Sequence, residues 1–263
     1  MKSILFVFTG TGNSLWAAKE IANELDDCAI VSMGRRQTYP LTETYDRIGF
    51  VYPTYYRGVP AKVRQFVSQL QLGANQNAYF FAVATCGGAA HAGNSISQLA
   101  QILEKKGVSL HYGKQLGMFP NYVVLYDMRQ TVQEEAAQSA QNLQPMLQQI
   151  KQKTSNVVPK KNKFLDQLGY RLFMHYAPRL DQKFSVSDAC VQCGICKKVC
   201  PAENIVLGED GRPQFQHHCE QCLSCLHNCP ARAINYKDKT QNRRRYHHPA
   251  VTWQDLAKLN HEI

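Results

Sequence analysis

No stretch of eighteen consecutive apolar residues occurs in the 263-residue sequence, so no segment is long enough to cross a bilayer as a helix. There is no G-x4-G-K-[ST] phosphate loop. The G-x-G-x-x-G fingerprint is incomplete as well, because Leu15 follows Gly10-Thr11-Gly12 where a third glycine belongs. Nucleoside-triphosphate chemistry and a direct dinucleotide grip therefore lack their usual signatures. Acidic residues are scarce, 20 Asp/Glu against 30 Lys/Arg for a formal charge of +10, yet no nucleic-acid-binding motif accompanies the excess. No acid, base or nucleophile constellation stands out, and the nine histidines have no informative spacing. The apolar start, Met1 to Phe8, is only about a strand long and has no cleavage-type region after it, so no signal peptide is expected.

What is present is cysteine in one repeated arrangement. Cys190-x2-Cys193-x2-Cys196-x3-Cys200-Pro201 and Cys219-x2-Cys222-x2-Cys225-x3-Cys229-Pro230 share the spacing that holds paired [4Fe–4S] cubanes. In that arrangement three closely spaced thiolates serve one cluster and the fourth crosses to the other. The first cluster is thus assigned Cys190, Cys193, Cys196 and Cys229, and the second Cys219, Cys222, Cys225 and Cys200. An offset of 29 residues also maps Gln192 on Gln221, Ala202 on Ala231 and Ile205 on Ile234, which predicts a pseudo-two-fold module. Structural zinc more commonly uses separated C-x2-C pairs, and disulfides need an oxidising compartment. Eight reduced, metal-binding cysteines point to the cytoplasm.

The positive charge is unevenly spread. Residues 1–150 carry 12 Lys/Arg against 10 Asp/Glu, and residues 188–234 carry 4 against 5. Residues 151–187 carry 8 against 2, and the tail after 234 carries 6 against 3. Each oxidised cubane with four thiolates brings about −2, and a flavin phosphate about −2 more, so part of the basicity balances cofactor charge. The remainder suits the steering of acidic redox partner proteins.

Ile4 to Phe8 reads as a central strand, and Leu15 to Leu25 as a helix with apolar residues at helical spacing. Between them Thr9, Thr11, Gly12, Asn13 and Ser14 form a hydroxyl- and glycine-rich turn at a helix N-terminus, a cradle for a phosphate monoester. Strands at 48–52, 78–84 and 108–112 alternate with helices at 60–70, 95–106 and 130–153. This implies a doubly wound parallel sheet, with ligands outside the carboxyl ends of the strands. The loops 9–14, 53–60 and 85–91 should then converge. Pro53, Thr54, Tyr55, Tyr56 and Gly58 place adjacent aromatics on a proline-stiffened loop, and Thr85, Cys86, Gly87 and Gly88 offer exposed amides. Together with the phosphate turn they predict flavin mononucleotide (FMN).

The turn Phe8-Thr-Gly-Thr-Gly-Asn-Ser14, the Pro53–Pro60 loop and the glycine pair 87–88 resemble a flavodoxin-like domain. With the double cysteine motif, the whole chain resembles the fused flavodoxin–ferredoxin electron-transfer family of mainly anaerobic bacteria. The resemblance implies an α/β fold: a flavodoxin-like doubly wound parallel sheet with a small C-terminal α+β two-[4Fe–4S] ferredoxin module. It also implies phosphate contacts from Thr9 to Ser14 and ring contacts from loops 53–58 and 85–88. Many flavodoxins are strongly acidic whereas this half is near neutral, a departure that bears on partners rather than on fold.

The expected organisation is a flavodoxin-like domain over 1–155, a basic linker over 156–184, a ferredoxin domain over 185–236 and a basic tail over 237–263. Phe164, Leu165, Leu168, Leu172, Phe173 and Tyr176 recur at helical spacing in the linker, and their apolar face is expected to pack on one of the domains. A membrane-surface helix is the sharper alternative, given the neighbouring lysines. In the tail, Thr252 and Asp255 have capping-box spacing for a last short helix. The expected function is electron transfer between FMN and two clusters, linking one- and two-electron partners. The alternatives are a flavin-dependent reductase of a quinone or nitro compound fed by the clusters, and a redox-responsive regulator supported only by the basic tail.

Overall fold

A computed structural model describes residues 1–34, 39–88, 91–159 and 162–261. Ala89 and Ala90 of the third expected loop, and Lys160 and Lys161 of the linker, lie outside the described residues. The N-terminal region is a five-stranded, wholly parallel sheet built from β1 (Lys2–Val7), β2 (Asp27–Ser32), β3 (Arg47–Pro53), β4 (Tyr79–Cys86) and β5 (Tyr112–Gly117), in the order β2-β1-β3-β4-β5. The order reverses between β1 and β3, which opens a crevice at their carboxyl ends. Helices α1 (Asn13–Glu24) and α4 (Val132–Lys151) cover one face, and α2 (Ala61–Gln69) and α3 (Ser95–Glu104) the other. β1, β3 and β4 are buried almost throughout, as continuous apolar runs between two helical layers must be.

Two elements differ from the sequence reading. The strand expected at 108–112 begins where that segment ends, at Tyr112. Val108 and Leu110 are apolar because they plug the core from a loop, whereas β5 is an edge strand whose Lys114 and Gln115 are only half-buried. The opposite edge strand, β2, was not expected although Cys28-Ala29-Ile30-Val31 is apolar; all of its side chains but Ser32 are exposed or only partly buried.

Helix α5 (Phe164–Tyr176) forms where the spacing placed it, but its apolar row does not pack as expected. Phe164, Leu165, Leu168, Leu172 and Tyr176 are all exposed. The opposite face docks instead. The Tyr170 hydroxyl donates to the Val59 carbonyl at 2.6 Å, and Arg57 pairs with Asp166 at 2.6 Å. The Gln98 amide also donates to Gln167 at 2.9 Å. Polar complementarity and one tyrosine have overridden the hydrophobic pattern.

The C-terminal module repeats itself in backbone as well as in sequence. α6 (Ile195–Lys198) and α7 (Ser224–His227) are related by the 29-residue offset, as are β7 (Ile205–Leu207) and β9 (Ile234–Tyr236). Left-handed conformations recur at Gln192 and Gln221, at Gly194 and Leu223, and at Glu203 and Arg232. Leu223 adopts what Gly194 adopts freely, at a cost of about 1 kcal/mol. β6 (Phe184–Val186) pairs with β9, and β8 (Pro213–Phe215) with β7. The module's core includes Phe119, Val123, Val124 and Met128 from the loop after β5, so the two regions share apolar packing. Each such side chain is worth about 1.5–3 kcal/mol when buried.

The tail is a strap rather than a free arm. Arg243 and Arg244 donate to the Val123 and Met128 carbonyls. Arg245 donates to Ile234 and Asn235. The basic run is thereby committed within the chain. α8 (Trp253–His261) buries Leu256 and Leu259 beside α1, where Lys19 meets Asp255 at 2.6 Å. Thr252 and Asp255 close the capping box, the Thr252 amide and hydroxyl donating to Asp255 Oδ2 at 2.9 and 2.7 Å. Among the described residues no helix is long and apolar enough to cross a membrane.

Candidate cofactor sites

The loops after β1, β3 and β4 meet at the crevice as anticipated, around a cavity of about 390 Å³. Thr9, Thr11, Asn13, Ser14, Pro53, Thr54, Tyr55, Tyr56, Thr85, Cys86 and Gly87 line it. Gly12, Gly58 and Gly88 do not. Gly12 is the left-handed residue (φ 98°) at the start of α1, and Gly58 lies beneath the Tyr170 ring.

The phosphate turn is built for an anion. Thr9, Thr11 and Ser14 are buried hydroxyls; the Gly12 amide donates to Thr9 Oγ1 at 3.2 Å, and Ser14 Oγ lies 2.9 Å from Thr85 Oγ1. The first turn of α1 contains no acidic residue, and among the described residues no side chain caps it. Its first amides and the helix dipole thus favour negative charge at Asn13 and Ser14.

Across the cavity, Tyr56 and Arg57 take left-handed conformations in a two-residue turn closed by reciprocal Tyr55–Gly58 backbone bonds of 3.0 and 2.9 Å. Such strain costs about 1–3 kcal/mol per residue and persists only where neighbours enforce it. Phe173 of α5 does so by stacking on Tyr56, ring centres 4.1 Å apart and 3° from parallel. Asp166 holds Arg57 from the same helix. Burial pushes the Tyr55 hydroxyl well above its usual range, helped by negative charge at Cys222 and Glu220.

Two walls of this cavity were not read from the sequence. One is the loop after β5, with Phe119, Pro120, Asn121, Tyr122 and Tyr126. Its signal was a polar-aromatic stretch following a strand, obscured because that strand was placed several residues early. The other wall comes from the C-terminal module: Glu220, Gln221 and Cys222. Glu220 accepts the Ala61 and Lys62 amides at 3.1 and 2.9 Å, capping α2 from outside its own region, while burial raises its carboxyl to about 7.

The cysteines fall into two groups. Cys190, Cys193, Cys196 and Cys229 line one small cavity with Gly194, Leu207, Pro213 and Ile234. Cys219, Cys222 and Cys225 all lie close enough to Cys200 for its charge to raise them. Burial pushes the Cys222 and Cys225 thiols well up, and Cys196 to about 11. Such sites suit a group that supplies positive charge and displaces the proton. Amides point at the sulfurs, Asn204 at Cys200, Gln221 at Cys219 and Ala233 at Cys229, between 3.2 and 3.3 Å. Hydrogen bonds of this kind tune a cluster's potential. Among the described residues no three His, Cys, Asp or Glu side chains converge on a single-ion site.

His227, beside the second group, joins the parts. Its Nδ1 accepts the Tyr246 amide at 3.0 Å, so Nε2 carries the hydrogen donated to the Asn121 carbonyl at 2.9 Å. Burial holds it neutral, with its pKa lowered to about 4.

Residues 4–111 match the family model of a flavodoxin domain, and residues 189–234 that of a 4Fe–4S dicluster domain. The chain joins a flavodoxin domain to a ferredoxin-type dicluster domain. Both are electron-transfer domains, and the two kinds of site are those of a flavin and of iron–sulfur clusters. One component of the Na(+)-translocating ferredoxin:NAD(+) oxidoreductase complex of Acetobacterium woodii is 45% identical over 42 residues, 16% of this chain and 13% of that protein. A ferredoxin of Pyrobaculum islandicum is 35% identical over 49 residues, 18% of this chain and 46% of that protein. The chain thus spans less than half the length of these curated relatives. Rubredoxin oxygen:oxidoreductase of Desulfovibrio gigas overlaps 58% of this chain and 36% of its own at 14% identity, with a TM-score of 0.37.

Proposed function

We propose that this flavodoxin–dicluster chain passes electrons between a bound FMN and two [4Fe–4S] clusters, linking one- and two-electron redox partners. The observation that carries the reading is the shared wall: Cys222 of the second cysteine group lines the same cavity as the hydroxyls of the phosphate turn. FMN supplies a centre that takes two electrons and releases them singly. The residues that would hold it are Thr9, Thr11, Asn13 and Ser14 at the phosphate, and Pro53, Thr54, Tyr55, Tyr56, Thr85, Cys86 and Gly87 about the ring. The first cluster takes Cys190, Cys193, Cys196 and Cys229, and the second Cys219, Cys222, Cys225 and Cys200.

The layout supports an order. The flavin site abuts the second group, and Cys225 of that group feels Cys196 of the first. Cys193 is exposed beside an exposed Val191, a port for partner proteins, acidic ones being favoured by the net charge. A cytoplasmic setting and the boundaries at 155, 184 and 236 belong to the same reading. The strap formed by the tail makes the last boundary one of sequence rather than of packing.

A small-substrate reductase is the second reading, favoured by exposed Tyr56 and Leu125 at the cavity mouth. Anaerobic purification followed by iron, sulfide and flavin analysis tests the first: about eight iron, eight sulfide and one FMN per chain are expected. Iron without flavin after reconstitution would sink it. Turnover of a quinone panel with reduced ferredoxin as donor would establish the second.

A further inference from the structure

We infer that helix α5 is a docking face for an anionic lipid surface. Phe164, Leu165, Leu168, Leu172 and Tyr176 lie at i, i+1, i+4, i+8 and i+12, one face of the helix, and each is between 57 and 79% exposed. Among the described residues, five large apolar side chains in one exposed row are far from the scattered singles of an ordinary surface. The row also has an apolar neighbour: Phe173 stacks on Tyr56, which is itself exposed at the cavity mouth.

Charge decides the occupant. Residues 151–187 hold only two acids, and both turn inward. Asp166 pairs with Arg57, and Asp181 is fully buried, accepting from Asn204 and His217. Lys163, Arg171, Arg179 and Lys183 are exposed along the same segment. Among the described residues of this segment, the exposed charged side chains are therefore all basic. That is the pattern of a helix lying in a membrane interface with its basic residues at anionic headgroups. An apolar protein groove would match the row but leave the cations unexplained. The placement would hold the cavity mouth beside the lipid, within reach of lipophilic redox partners.

The test is flotation of the intact holoprotein with vesicles. Association with phosphatidylglycerol-containing vesicles is expected, and little with phosphatidylcholine alone. Leu168→Glu combined with Leu172→Glu should cut the bound fraction about tenfold or more, with iron content and visible spectrum unchanged because both side chains are exposed. Arg171→Glu with Arg179→Glu should remove the preference for anionic lipid, and raised salt should weaken it. The proposal is overturned if the protein stays unbound, binds both vesicles equally, or floats unchanged after the leucine substitutions. Concentration-dependent dimerisation abolished by those substitutions, without flotation, would instead make the row a self-association face. None of these readouts depends on electron transfer, so failure here leaves the proposed function standing.

Discussion

Gly10 of the phosphate turn lies directly against Cys222: a Cβ at Gly10 would stand 2.7 Å from the Cys222 carbonyl oxygen and 3.0 Å from its Cβ. The absence of a side chain there is what lets the dicluster domain close on the flavin site. Gly10→Ala is therefore expected to push the two apart, at about 1–3 kcal/mol of stability. Flash-reduction kinetics should show slower flavin-to-cluster exchange and melting a lower midpoint. Unchanged values for both would disprove the close approach.

Cysteine substitutions should sort by space rather than by sequence. Cys193→Ser and Cys229→Ser remove ligands from the same group, although 36 residues separate them. Both should leave about four iron per chain with one shared EPR signature. Cys200→Ser and Cys222→Ser should give the complementary one. If Cys229→Ser instead resembles Cys222→Ser, the crossing assignment fails.

The strap reaches the phosphate turn through three contacts. The Tyr246 hydroxyl donates to Asn13 Oδ1 at 2.6 Å, the His248 amide donates to the Thr11 carbonyl at 2.9 Å, and Val251 packs on Gly12. Tyr246→Phe is expected to cost about 1 kcal/mol and to loosen flavin retention a few-fold. Fluorescence titration of the reconstituted protein would measure it, and full retention would show that the turn is organised without the tail.

His248 makes the strap sensitive to acid. It stacks on Trp16, its Nδ1 accepts the Ala250 amide, and its buried Nε2 has no partner among the described residues. Burial lowers its pKa from 6.5 to about 4, with His247 nearby adding to the shift. The unfolded strap thus takes up a proton first. Its docking is at full strength above about pH 6.5, weakens as pH falls, and levels off below about 4. Hydrogen exchange of the 246–251 amides, compared between pH 7 and pH 5, should show this loosening. His248→Gln should flatten the dependence, and an equally steep profile in that variant would assign it elsewhere.

The repeated cysteine spacing and the hydroxyl- and glycine-rich turn were legible because fixed residue types stand at fixed local spacing. The buried strands β1, β3 and β4 were legible because both their faces are covered. β5 was not, since an edge strand keeps polar side chains on its open side and breaks the apolar run, nor was β2, because four apolar residues from Cys28 to Val31 do not by themselves separate a strand from a helix segment. The aromatic loop after β5 was lost with its strand. The α5 row was read correctly as a stripe and wrongly as a packing face, because hydrophobic spacing reports a helix's periodicity and not what covers it.

The amino-acid sequence by itself determined two domain types, the repeated cysteine spacing and a hydroxyl- and glycine-rich turn, all consequences of local spacing. Tertiary structure alone decided how they meet. Gly10 against Cys222, Glu220 capping α2, and the tail drawn over Thr11 and Asn13 join residues far apart in the chain. Their partners are selected by shape and by unsatisfied backbone groups, which no local pattern records.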